Sequence, residues 1–361
     1  MSRTVRALLV LLRAGLWEKR PDDLTAFPIS ADEWEEVYQE ARRQTVVGLV
    51  YRGIRYLSEE MLPPQRLMFR WIVDIDRVEQ RNASMNRHLL ELTCLLEEKG
   101  ICPIVQKGQG VAAWYEQPLL RECGDIDLYF PKEEDRKKAE EWLLEQGHGL
   151  ERKADGSSTY RWKQIEVEHH PALFDLQRPG VQACLQNWIA EKGFEIRKIG
   201  VEGKIRVPAP ELNLLLLNVH ILKHALGRGI GLRQFCDLAR AYHVLGKQVN
   251  GEEIRYMYEQ AGIRKWSGLL HAFLVEVLGL PTERLPYVDE KAVSVKPLMD
   301  IVWQGGNFGK YGKYGSIQGQ SVFARKWNTC RAFGKNVRFS LRYAPGEAFH
   351  TFRQLLMGQF K

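Results

Sequence analysis

The stretch Arg121-Glu-Cys-Gly-Asp-Ile-Asp-Leu-Tyr-Phe130 constrains this chain more than any other. Ile126, Leu128, Tyr129 and Phe130 give it the character of a buried strand, yet Asp125 and Asp127 stand inside it two residues apart. Side chains alternate between the faces of a strand, so residues at i and i+2 share a face. Both carboxylates therefore point the same way. Two carboxylates on one strand face are a ready site for a hard divalent cation, which binds through oxygen.

The flanking sequence supplies partners. Ile101 to Gln106 reads as a short apolar strand, ended by Lys107-Gly108 and followed by a helix carrying Val111, Ala112, Trp114 and Tyr115 before Pro118. The unpaired N–H groups at such a helix start can receive a phosphate, and glycine permits its close approach. A charged amphipathic helix follows from Glu133 to Gln146, and Thr159 to His169 reads as one further strand. Within Gln164–His170, alternation puts Glu166, Glu168 and His170 on one face and His169 on the other. Acids in a strand with Ile165 and Val167 need a reason, because an unpaired buried carboxylate is costly. A third carboxylate beside Asp125 and Asp127 would complete a two-metal site. Residues 101–175 thus form a small α/β unit.

On these residues the chain resembles the bacterial uncharacterised nucleotidyltransferases of the polymerase-beta-like superfamily. The resemblance is carried by Lys107-Gly108, Arg121, Gly124-Asp125-Ile126-Asp127-Leu128 and Glu168-His169-His170. His220 and His224, then Arg233 and Asp237, at i,i+4 on successive helices, are similar to the family's helical second half. It covers roughly 40–280 in outline and about 105–170 in motifs. The fold class it implies is α+β: a small polymerase-beta-like nucleotidyltransferase core over 101–207, a helical N-terminal arm over 1–100 and a helical C-terminal domain over 208–304. A Gly-rich linker and basic amphipathic tail would fill 305–361.

The resemblance also implies an activity: transfer of a nucleoside monophosphate from an NTP such as ATP to a hydroxyl acceptor, with release of pyrophosphate. Asp125, Asp127 and Glu168 would be the catalytic and metal-ligating acids, holding two Mg²⁺ ions, or Mn²⁺. Lys107, Gly108, Gln109, Arg121 and Gly124 would bind the nucleotide. Gln109 stands where the broader superfamily has Ser or Gly. Glu166 is an alternative to Glu168 as third acid, since a two-residue slip preserves the face. His170, Arg233 and Asp237 are additional candidates, the last two also fitting an ordinary i,i+4 ion pair. The acceptor, small molecule or protein hydroxyl, is not named by any motif. The rival reading is a module of the same fold that binds nucleotide or a partner without turnover.

The rest of the chain is helical by pattern. Ser30 and Glu33 form a capping box, Pro63-Pro64 opens a long helix closed by Gly100, and helices are expected over 212–226, 233–245, 252–262, 264–278 and 291–303. His220 and His224 read as core-edge residues rather than metal ligands, and Cys123 as a buried filler. Net charge is +7, and the segment from Gly305 onward carries ten Lys or Arg against Glu347 alone, so the remainder is slightly acidic. Phe323, Trp327, Cys330, Gly334, Val337 and Leu341 form an apolar seam beside Arg331, Lys335, Arg338 and Arg342. That pattern suits packing on the core, or peripheral contact with an anionic membrane. No aromatic and basic nucleic-acid module is recognisable. Six scattered cysteines lack zinc spacing, and Arg13 breaks the apolar run Ala7–Leu12, so a cytoplasmic chain is expected.

Overall fold

The computed structural model describes residues 1–305 and 337–350, apart from 154, 177, 201–202, 228 and 289–292. Helices α1 (Arg3–Trp17), α2 (Ala31–Arg43), α3 (Val47–Ile54) and α4 (Gln65–Glu97) come first. The expected capping box forms at α2: Glu33 N–H donates to Ser30 Oγ at 3.2 Å and Ser30 N–H to Glu33 Oε2 at 2.8 Å. α1 and α3 cross at contact distance, because a Cβ on Gly53 would lie 2.0 Å from Leu11 O. At about 1.5 Å rise per residue, the 33 residues of α4 span about 50 Å. Its first half buries Leu67, Trp71 and Ile75 in the helical core, and its second half buries Met85, Leu89, Leu92 and Leu96 against a sheet.

That sheet contains β1 (Ile104–Val105), β2 (Ile126–Tyr129), β3 (Glu151–Arg152), β4 (Ser158–Trp162) and β5 (Ile165–His170) in the order β1-β2-β5-β4-β3. Only β2 and β5 are parallel; the other pairs are antiparallel. Between these strands lie α5 (Gln109–Ala112) and α6 (Glu133–Glu145). Helix α7 (Gln182–Lys192) and a hairpin of β6 (Phe194–Ile199) and β7 (Gly203–Pro208) follow. The chain then forms α8 (Pro210–Leu226), α9 (Leu232–Leu245), α10 (Gly251–Gln260), α11 (Arg264–Glu276) and α12 (Lys296–Gly305). The architecture is mixed, with helical layers around a small mixed sheet, in keeping with α+β.

Three expectations are corrected. The single strand over 159–169 is a hairpin, β4 to β5, turned by Lys163 and Gln164 at φ of 45° and 69°. Two successive left-handed residues make the tight turn that matches strand twist, but Asn-Gly usually marks it in sequence. The helix after Gly108 is one turn, and β6–β7 was not anticipated. In the tail, Val337 and Leu341 are 36% and 55% exposed; the buried stripe is Ser340, Tyr343, Ala344 and Ala348. Phe339 sets that rotation by meeting the Trp266 ring edge-on, 6.1 Å between centroids. The rest of the seam, with Arg331, Lys335 and the Gly-rich linker from Gly306, lies outside the described residues. No helix among the described residues is long and apolar enough to cross a membrane.

Candidate functional site

Asp127 is directly opposite Glu168 in the parallel pairing of β2 and β5, and Tyr129 opposite His170. Paired residues of adjacent strands share a face, and so do residues two apart. The result is that Asp127, Glu168 and His170 each offer a ligand atom within 4.8 Å of the others. His170 Nε2 lies 2.6 Å from Asp127 Oδ1, and Lys107 Nζ lies 3.1 Å from the same oxygen. Lys153 Nζ donates to Glu168 Oε2 at 2.9 Å. Glu166 is exposed and pairs in register with Arg161, so of the two candidate third acids only Glu168 reaches Asp127. His169 is on the opposite face, buried, with Tyr160 Oη 3.1 Å from its Nε2.

Asp125 sits one residue before β2 and outside that group of three, but within its field. The Asp127 charge first, and burial second, push the Asp125 carboxyl up to about 6. Burial also pulls Asp127 upward, but Lys107 and the His170 hydrogen bond outweigh it and hold this carboxyl below the usual range. Such mutual repulsion between acids is what a bound cation relieves. Three carboxylates and one imidazole are a donor set that fits a divalent metal.

The remaining candidates divide. Gly108 has φ of +53°, and a Cβ there would lie 3.5 Å from Asp125 O, while just before it Gln106 N–H continues the β1–β2 ladder to Asp127 O at 3.1 Å. With α5 only one turn long, Gly110 and Ala112 N–H are spent on Lys107 O and Gly108 O. Little of the expected helix dipole faces the site. The Gln109 side chain is 2% exposed and lines a separate cavity of about 130 Å³ with Asn82 and Cys123, away from the carboxylates. Gly124 is exposed at the cavity rim.

Arg121 lines the same cavity as the carboxylates and is paired there with buried Asp237: Nε to Oδ1 is 3.0 Å and Nη2 to Oδ2 is 2.6 Å. Tyr115 Oη adds a third bond to Asp237 Oδ1 at 2.7 Å. The i,i+4 pair of Arg233 with Asp237 is therefore replaced. Arg233 Nη1 donates to Glu122 O at 2.6 Å, and its buried Nε has no partner among the described residues.

A cavity of about 460 Å³ opens between the sheet and α8–α9. Lys107, Asp125, Asp127, Glu168 and His170 line one side. His220, Lys223, His224 and Arg233 line the other, with Leu173, Phe174, Leu216 and Leu217 completing an apolar end. The His220 and His224 rings meet edge-on at 4.5 Å. Burial and then Lys107 push both imidazoles down, His224 to about 3, so both are neutral near pH 7. These histidines face the cavity rather than the core edge. Sequence reasoning missed Lys153 and Lys223 altogether; the only signal was Lys223 standing between the two histidines on α8.

A family model described as an uncharacterised nucleotidyltransferase matches residues 30–279, a span that includes every residue of this cluster. No curated protein and no solved structure matches the chain.

Proposed function

This chain belongs to the uncharacterised nucleotidyltransferase family, and from that membership we propose a metal-dependent transfer of a nucleoside monophosphate from an NTP to a hydroxyl acceptor. One observation carries the reading: Asp127, Glu168 and His170 converge within 4.8 Å, with Lys107 and Asp125 beside them, at the wall of a ligand-sized cavity. In this reading Asp125, Asp127 and Glu168 hold Mg²⁺ or Mn²⁺, two ions in the full site, with His170 as an additional ligand. Bound there, a divalent ion neutralises triphosphate charge and aligns it.

The side chains supply the rest. Lys107 and Arg233, which both line the cavity, offset phosphate charge. The acceptor oxygen attacks the α-phosphorus, the bond to the bridging oxygen of the β-phosphate breaks, and pyrophosphate leaves. Glu168 ligates the second ion or, as the alternative role, takes the acceptor proton as general base. The apolar end at Phe174 and Leu217 excludes water and receives the base or the acceptor. Arg121, Asp237 and Gln109 serve the frame of the site rather than the phosphates.

The carboxylates on β2 and β5 of a mixed sheet support a polymerase-beta-like core over 101–207, flanked by the arm over 1–100 and the helical part over 208–304. A second reading, nucleotide or partner binding without turnover, is favoured by the commitment of the Arg121 guanidinium to Asp237 and by the place of Gln109 in a different cavity. Incubation with labelled NTPs, Mg²⁺ and candidate acceptors separates the two. Pyrophosphate with a labelled product supports transfer, whereas nucleotide-dependent stabilisation without either supports the binding module. The exposed Val337, Arg338, Leu341 and Arg342 support peripheral contact with an anionic membrane.

A further inference from the structure

Segment 119–125 delivers Asp125 to the site, yet it has no helix or strand over 121–125 to hold it. On the reading of the site as a metal-dependent nucleotidyltransferase centre, we propose that Arg81 and Asn82 of α4 are positioning residues that place Asp125 beside Asp127 by binding this segment's carbonyls. Asn82 is 3% exposed, and its Nδ2 donates to both Leu119 O at 2.6 Å and Arg121 O at 2.8 Å. Arg81 Nη2 donates to Gly124 O at 2.7 Å. With Arg233 on Glu122 O, the carbonyls of residues 119, 121, 122 and 124 each accept a side-chain hydrogen bond from another element.

The Arg81 contact matters most for Asp125. It holds the peptide that joins Gly124 to Asp125, at a residue with no side chain to pack. A Cβ at Gly124 would find nothing within 4 Å, so shape does not fix the backbone there. The reference is rigid: one and two turns beyond Arg81, Met85 and Leu89 of α4 are fully buried in the same core as Ile126 and Leu128 of β2. Asp125 and Asp127 are thus tied to a common body, Asp127 by strand pairing and Asp125 through α4. Because Asp125 lies outside the group formed by Asp127, Glu168 and His170, the placement of this peptide bears directly on whether it joins their ligand set.

The test is Mn²⁺ binding to the full chain, followed by water-proton relaxation, with nucleotidyl transfer measured alongside. Arg81 is exposed, so Arg81→Ala leaves the core intact. Expected is about a tenfold weaker Mn²⁺ affinity in Arg81→Ala, the order set by one charge-assisted hydrogen bond, with recovery in Arg81→Lys. Asp125→Asn also weakens Mn²⁺, and adding Arg81→Ala to it has no further effect, since Arg81 acts through Asp125. Unchanged affinity in Arg81→Ala, failure of Arg81→Lys to recover it, or full additivity with Asp125→Asn overturns the positioning role. Absence of Mn²⁺ binding by the unsubstituted protein overturns the metal reading instead.

Discussion

Asp237→Ala leaves the Arg121 guanidinium enclosed without a counter-ion. The pair is deeply buried, with side-chain exposures of 7% and 4%, and doubly hydrogen-bonded. Breaking such a pair from one side costs about 3–5 kcal/mol, because the surviving charge has lost its compensation. Tyr115 Oη loses its acceptor in the same step, and the two losses overlap because they share one carboxylate. A total near 4 kcal/mol is a large part of the ~5–15 kcal/mol that holds a typical domain. Urea denaturation followed by circular dichroism measures it. Replacing the whole network, with Arg121→Met, Asp237→Leu and Tyr115→Phe together, removes the stranded groups and is expected to return stability to within about 1 kcal/mol. A loss below about 1 kcal/mol in Asp237→Ala would refute the reasoning. So would an unchanged fold with a raised KM for NTP, which would return Arg121 to the phosphates.

Three further outcomes are expected. Glu168→Gln lowers transfer by about 10²-fold or more, the scale of a lost general base, while Glu166→Gln leaves it within about twofold; equal losses would contradict the register of β2 on β5. Asp125 has its folded pKa raised from 3.8 to about 6, so its contribution to stability is full below about pH 4 and is lost as pH rises through 6. Asp125→Asn should therefore be about 2–3 kcal/mol more stable than the parent at pH 7.5 without divalent cation, a gap that Mg²⁺ narrows; denaturation curves with no such gap count against the repulsion. Vesicles containing anionic lipid should retain the full chain and lose it on the Leu341→Ser, Arg342→Ser change, and retention by neutral vesicles alone would rule out the basic surface.

The parts legible in sequence were those set by local pattern. The capping box at Ser30, the length of α4 and the strand through Ile126 and Leu128 follow from short-range periodicity and end signals. Alternation within β5 put Glu168 and His170 on one face, as observed, but nothing local said that Asp127 would lie opposite Glu168 rather than Glu166. That choice depends on how two strands about forty residues apart align. The Lys163-Gln164 turn was invisible because neither residue is a usual left-handed one. The partner of Arg121 was hidden for a different reason: a motif arginine near carboxylates suggests a phosphate contact, and only the packing of α9 reveals Asp237 beside it. Likewise, the cavity face of His220 and His224 exists only once α8 has docked across from the sheet.

The central claim is that this cavity transfers a nucleotidyl group, and the direct measurement is mass spectrometry of acceptor mixtures, and of the protein itself, after incubation with labelled NTP and Mg²⁺. A labelled nucleoside monophosphate adduct with matching pyrophosphate is expected from the parent chain, and neither from a folded Asp125→Asn, Asp127→Asn variant. Adduct and pyrophosphate at undiminished levels from that variant would contradict it.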